Sequence, residues 1–230
     1  MRPSIIPLQD MGNDANKVNT STSERISRQI RPITGSDLKA LAEVHIGSGT
    51  PGFLSDLGIS FLENIYYAVL IDDPYSGGAA IDIGNEVAGF VTYSTDSSKL
   101  FRSIFLKKPI PFIMSIIKSM LKRPRILLDF LGVVFHVQAD HLATGVDAEV
   151  VSLEVRPPYQ GLGLGYFLIE RAVSELRTKK QGQPIKVRIF SDHVAVARLY
   201  ESLNFHEVGK FRLNGRNWSM MVNDEPRPSN

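Results

Sequence analysis

Apolar positions along the chain follow two rhythms, alternation with polar residues and recurrence every three to four positions, which predict strands and helices respectively. Gln29 to Ile33 predicts a short strand, and Ser36 offers a cap for a helix through Ile46 with Leu38, Leu41, Ala42 and His45 on one face. After Pro51 and Gly52, the spacing of Phe53, Leu57, Phe61, Ile65 and Leu70 predicts a second helix that ends before Asp72 and Pro74. Ala79 to Ile83 and Val87 to Tyr93 flank Gly84 and Asn85, a strong hairpin signal.

Residues 99 to 135 are expected to form an insertion of short helices divided by Pro109, Pro111 and Pro124. Glu149 to Val155 reads as a strand, with Val151, Leu153 and Val155 on one face and Val150, Ser152 and Glu154 on the other. A Gly-rich turn, Gly161 to Gly165, leads into a helix reaching about Lys179, and Ile185 to Phe190 reads as the next strand. Such a strand, helix, strand unit makes its two strands parallel. A further helix runs from Ser191 or Asp192 to Leu203, and Phe205 to Leu213 pairs with Arg216 to Val222 across Asn214 and Gly215, a type I′ turn signature. The expectation is an α/β (α+β) domain over 28–223, with tails at 1–27 and 224–230 that lack a sustained period.

Composition narrows the chemistry. Of 230 residues, 43 % are hydrophobic and 22 % charged, which suits a folded protein rather than a disordered chain. The absence of cysteine excludes disulfides, thiolate metal clusters and a Cys nucleophile. No apolar stretch reaches the roughly 20 residues of a membrane-spanning helix, and MRPSIIPLQDMGND carries no secretory signal, so cytoplasm is the expected location. His136 and His141 are five apart, off a common helix face and without a carboxylate pattern, so no metal is expected. The net charge of +2 conceals an uneven distribution. Eight basic residues and no acidic one fall between Lys99 and Leu128, leaving the rest of the chain at net −6. Amphipathic helices packed on the domain's own core would account for this segment, and so would a surface facing something anionic.

Gln160, Gly161, Leu162, Gly163, Leu164 and Gly165 join a strand end to a helix start, where free N–H groups and the positive end of the helix dipole favour an anion. Tyr166 stands where a dinucleotide fingerprint needs its third Gly, and the Gly-Lys-Ser/Thr ending of a P-loop is absent. The stretch LEVRPPYQGLGLGYFLIERAV resembles the acyl-CoA pyrophosphate loop of the GNAT superfamily of acetyl-CoA-dependent N-acetyltransferases, with Gln160, Gly163 and Gly165 filling its pattern. SDHVAVARLYESLNF is similar to that family's next helix: Tyr200 and Phe205 match, Asn204 replaces Gly, and His193 stands where Asn is usual. The resemblance covers roughly 29–222 apart from the insertion.

It implies a mixed, mainly antiparallel sheet of about seven strands with helices on both faces and the insertion before the cofactor-binding strand. It also implies acetyl-CoA (coenzyme A) as co-substrate and no metal. Main-chain contacts would come from Leu153, Val155, Arg156 and the loop through Tyr166, with His193 beside the pantetheine arm, which enters a gap where that strand splays from the next. An alkyl amine is about one part in a thousand neutral at pH 7, a cost of about 4 kcal/mol, so acetyl transfer needs a base. Glu149, eleven residues before Gln160 as in the histone-modifying branch, is the expected base; by alternation it shares a face with Leu153, while Glu154 faces away and ranks below it. Tyr200 is the expected acid for the departing thiolate. Read plainly, Glu149 is an exposed strand-end carboxylate, Tyr200 a half-buried aromatic, His45 a satisfied core histidine, and Trp218 hairpin packing rather than a substrate platform.

The insertion adjoins the acceptor's approach. Its charge suggests an anionic amino sugar or metabolite, or a headgroup at a membrane surface, as the primary-amine acceptor. Without a recognition motif it gives no support for nucleic acid. A small-molecule acceptor, peripheral membrane contact through the insertion, and a monomeric or homodimeric enzyme are the expectation. A protein or peptide amine acceptor, or a non-catalytic acyl-CoA sensor, are the alternatives.

Overall fold

The computed structural model describes residues 30–50, 52–121, 123–133, 145–180 and 182–224. The expected tails, except Asp224, and both His136 and His141 lie outside them. Seven strands form one sheet, β1 (Ile30–Pro32), β2 (Ser76–Ile83), β3 (Glu86–Ser94), β4 (Ala148–Val155), β5 (Ile185–Phe190), β6 (His206–Leu213) and β7 (Arg216–Asn223), in the spatial order β1-β2-β3-β4-β5-β7-β6. Every neighbouring pair is antiparallel except β4 with β5, as a crossover through a helix requires. The expected mixed sheet with helices on both faces is therefore observed.

One face carries α1 (Leu38–Gly47), α2 (Phe53–Leu57) and α3, a composite of Ile59–Phe61, a π-helical stretch Leu62–Tyr67, and Ala68–Ile71. The same core receives the insertion, α4 (Ser97–Lys107), α5 (Pro109–Met120) and α6 over 126–133, through Leu100, Ile104, Phe112, Ile116 and Ile126. The opposite face is covered by α7 (Leu164–Lys179) and α8 (Val194–Glu201), whose Leu168, Ile169, Ala172 and Tyr200 pack with Ala148 and Val150.

Local chemistry explains the boundaries. Thr34 and Asp37 form a capping box ahead of α1, displacing Ser36 from the expected role, because the Asp37 carboxylate reaches back to the Thr34 N–H at 2.7 Å. Gly58, at φ +86°, breaks the expected second helix into α2 and α3. The π-helical turn presents consecutive Tyr66 and Tyr67 to the core, both buried. Asn214 and Gly215 both take positive φ, as a type I′ hairpin demands, and Asn204 at φ +62° ends α8 in the left-handed conformation.

The strand feeding the loop departs from simple alternation. Thr92 pairs with Ser152 and Tyr93 with Val150, so Val151 is an extra residue on β4, a β-bulge. The bulge reverses the phase of the side chains. Val150 joins Leu153 and Val155 against the α7 core, whereas Val151 packs in the core of the opposite face.

Candidate active site

The bulge corrects the expected placement of the two carboxylates. Glu149 and Glu154, separated by one extra residue, both line the same cavity of about 270 Å³, together with His45, Thr50 and Tyr200. Pairing of β4 with β5 stops at Val150 with Val187, so Val151 to Val155 are not laddered to β5 and the two strands part there. The cavity occupies this gap, with Val150 to Glu154 on one side and Val187 to Phe190 on the other.

The carboxylates differ in environment. Burial alone would raise the Glu149 carboxyl, but the charges of Arg188 and Lys186 outweigh it and hold Glu149 below its ordinary value. Arg188 donates to Glu149 Oε1 from Nε at 2.9 Å and from Nη2 at 2.6 Å. Glu154 has no such cation. Burial pushes it from 4.5 up to about 7 against the opposing hydrogen bonds of Ser48 and Thr50, whose hydroxyl donates to Oε2 at 2.9 Å. A carboxyl that titrates near neutrality is matched to accepting a proton at pH 7.

His45 sits behind Glu154, its Nδ1 at 4.0 Å from Oε1 and at 2.6 Å from the Tyr67 hydroxyl. Burial lowers His45 to about 4, which keeps it neutral. It is the satisfied core histidine expected from its helix face, and it also borders the cavity. Tyr200 is 2 % exposed, not half-buried; burial first, then the charges of Glu154 and Glu149, raise its hydroxyl above the ordinary value. It therefore holds its proton at any working pH.

Beyond β4 the chain is fixed by Arg156, whose N–H donates to Ala88 O and whose Nε donates to Val87 O, both at 2.9 Å. Gln160 donates from Nε2 to Val155 O at 2.9 Å. Gly161 and Gly163 take φ of +78° and +80°, and a Cβ at either would meet nothing within 4 Å. Conformation, not space, thus requires glycine there. Gly163 is the N-cap of α7 and supplies no side-chain cap for the N–H groups of the first turn, of which that of Tyr166 donates to Gly163 O at 3.1 Å. At Gly165 a Cβ would lie 3.1 Å from Leu199, so this glycine serves close packing of α7 on α8. Leu162 is exposed, Leu164 is buried, and the Tyr166 ring meets Phe167 edge-on. An uncapped helix start and an unladdered strand edge, leading to a cavity, suit a long diphosphate-bearing thioester.

The remaining cavity wall is largely apolar. Phe53, Phe101, Val133, Phe211 and Trp218 contribute, and His193 borders it at the start of α8 with its ring 5.1 Å from Phe190. Trp218 packs on Phe190 at 4.2 Å, the hairpin packing expected, and also faces the cavity. Among the described residues of the insertion, Phe101 and Val133 reach the lining and no basic side chain does. The expected link between insertion charge and an anionic acceptor has no support in the cavity wall. Among the described residues no group of three or more His, Asp or Glu could hold a metal, and no helix is long and apolar enough to cross a membrane.

Residues 126–205 match the model of the acetyltransferase (GNAT) family. No curated protein sequence matches the chain at a significant level. Among solved structures, ribosomal-protein-alanine N-acetyltransferase from Brucella melitensis superposes with a TM-score of 0.55 at 17% identity, covering 85% of this chain and 99% of that one. The yncA protein of Salmonella typhimurium, solved with its cofactor acetyl-CoA, gives 0.54 at 18% identity over 87% and 95% of the two chains. Arabidopsis thaliana NAA60 in complex with acetyl-CoA gives 0.51 at 18% identity over 84% and 96%. At these identities the structural likeness speaks for the fold.

Proposed function

We propose that this chain is a GNAT-type acetyltransferase and moves the acetyl group of acetyl-CoA to the primary amine of a small molecule whose body is apolar or aromatic, a reading that the family match over residues 126–205 and the fold support. The observation that carries the reading is one cavity, at the parting of β4 and β5, that holds a carboxyl poised near neutrality and a protonated phenol. In this reading the N–H groups from Gly161 to Gly165 bind the diphosphate at the start of α7, while the Tyr166 N–H donates to Gly163 O at 3.1 Å and closes the first turn. Gln160 and Arg156 fix the loop against β3 and β4, and main-chain groups of Leu153 and Val155 receive the pantetheine arm. His193 borders the same gap.

Glu154 accepts the proton of the incoming ammonium. Its value near 7 leaves a substantial fraction ionised at neutral pH and still matches the task, where a fully ionised, cation-paired carboxylate is a weaker base. Glu149, expected as base from its spacing, instead acts as a fixed negative charge that with Glu154 keeps the Tyr200 hydroxyl protonated. Tyr200 donates its proton to the departing thiolate, and burial excludes water that would otherwise compete for it. The apolar wall contributed by Phe53, Phe101 and Trp218 favours the neutral amine by desolvation.

The test is thiol release from acetyl-CoA across a panel of primary amines that varies charge and apolar bulk independently. Turnover with apolar or aromatic amines, lost about 100-fold or more in Glu154→Gln and Tyr200→Phe at unchanged acetyl-CoA affinity, is expected. Tight acetyl-CoA binding without product from any amine or peptide would replace this reading with a sensor.

A further inference from the structure

The insertion's charge, absent from the cavity lining, accompanies an apolar surface on its outer side. On α5, Phe112 and Ile116 point into the core, while Ile110, Ile113, Met114, Ile117 and Leu121 form a second stripe at helical spacing that is open to solvent. Ile110 is 73 % and Leu121 86 % exposed. The flanking helices add Leu106 at 59 % and Leu128 at 67 %. The rings of Phe105 on α4 and Phe130 on α6 both meet Phe112 on α5, so the three helices hold together as one layer. Single exposed apolar residues are ordinary, but a continuous stripe of large side chains on a charged segment is not.

Eight basic residues and one acidic residue, Asp129, fall within the span of these three helices, and Arg102, Lys118 and Arg125 are exposed. Ion pairs with Asp96 and Asp56 engage Lys99 and Arg123. A second copy of the chain seated on the stripe through the same helices would bring net +7 against net +7, which disfavours that self-association. The net −5 of the remaining chain would be repelled by an anionic surface, so the attraction is confined to this layer and gives it one orientation. At 12 residues, α5 is too short to span a bilayer, and a helix of this composition lies in the interface with its apolar side among the acyl chains.

We propose that α4, α5 and α6 dock the domain on an anionic lipid bilayer, the stripe of Ile110, Met114, Ile117 and Leu121 entering the headgroup boundary while Arg102, Lys118 and Arg125 meet lipid phosphates. The docking does not depend on acetyl transfer. It is tested by co-flotation of the full chain with vesicles of phosphatidylcholine alone and of phosphatidylcholine with phosphatidylglycerol, at low and high salt. Binding to the anionic vesicles only, weakened by salt, is expected. Replacing Arg102, Lys118 and Arg125 together by Gln lowers the partition coefficient about 100-fold, roughly fivefold for each charge removed. Replacing Ile110, Met114 and Leu121 by Gln also abolishes binding, while thermal melting and acetyl-CoA affinity, measured alongside, stay at wild-type values because all six side chains are exposed. No binding to either vesicle, equal binding to both, or a sedimentation mass that falls from dimer to monomer in the apolar variant without vesicle binding would overturn the proposal.

Discussion

Replacing Glu154 by Gln separates the electrostatic cost of this carboxyl from its chemical use. Burial lifts it from an ordinary value of 4.5 to about 7. Each tenfold difference is worth about 1.4 kcal/mol, so ionising Glu154 in the folded protein costs about 3 kcal/mol more than in the unfolded chain. Because the folded-state value is the higher, the wild type retains this contribution in full below pH 4.5 and loses it as pH rises through about 7. The Gln side chain is never ionised and keeps a carbonyl that accepts from the Thr50 hydroxyl. The stability difference between variant and wild type should therefore be under about 1 kcal/mol near pH 5 and grow to about 3 kcal/mol in favour of Gln at pH 8. Urea denaturation at half-unit pH steps measures it, and His45 contributes equally to both proteins in first approximation. The same variant should lose 10²- to 10⁴-fold in turnover, on the order of what a general base supplies. A constant offset between the two proteins at every pH would refute the reasoning, because it would place the carboxyl in a solvated or cation-paired setting.

His45 makes the opposite arm of the pH profile: held neutral down to about 4 against an ordinary 6.5, it contributes stability present above pH 6.5 and lost as pH falls toward 4, about 3 kcal/mol in all. Denaturation of His45→Gln should show a flatter acid limb than the wild type. Arg188→Met leaves the buried Glu149 carboxylate without its hydrogen-bonded cation and with only the charge of Lys186, and chemical denaturation should register a loss of about 3 kcal/mol at pH 7, much of it recovered in the Glu149→Gln, Arg188→Met double variant. Tyr200→Phe should fold with wild-type stability to within about 1 kcal/mol and bind acetyl-CoA normally, yet lose about 100-fold in single-turnover rate.

Features set by a few adjacent residues were legible in the sequence. Asn214 with Gly215 specified its turn, Asn204 its left-handed helix end, and Gln160 to Gly165 the strand-to-helix loop. The bulge was not legible, because Val150 and Val151 are both apolar and either phase of alternation satisfies the composition of β4. That one residue decides whether Glu154 faces the cavity. The ion pair of Glu149 with Arg188 spans 39 positions and exists only through the parallel register of β4 on β5. Helical spacing located the insertion helices but could not say that α5 carries two apolar sides, one turned inward and one outward. Charge in a sequence does not say which surface it faces, and among the described residues the insertion's basic side chains are absent from the cavity lining.

In the proposed function the start of α7 and the open edge of β4 together hold a diphosphate-bearing thioester. Isothermal calorimetry of acetyl-CoA into the wild type and into Gly163→Val measures it most directly, since Gly163 stands at φ +80° and a β-branched residue there is strained by about 1–2 kcal/mol. One saturable site in the wild type, weakened at least tenfold in a variant that remains folded, is the predicted result. No heat of association in the wild type, or equal affinity in both proteins, would remove the thioester from this site.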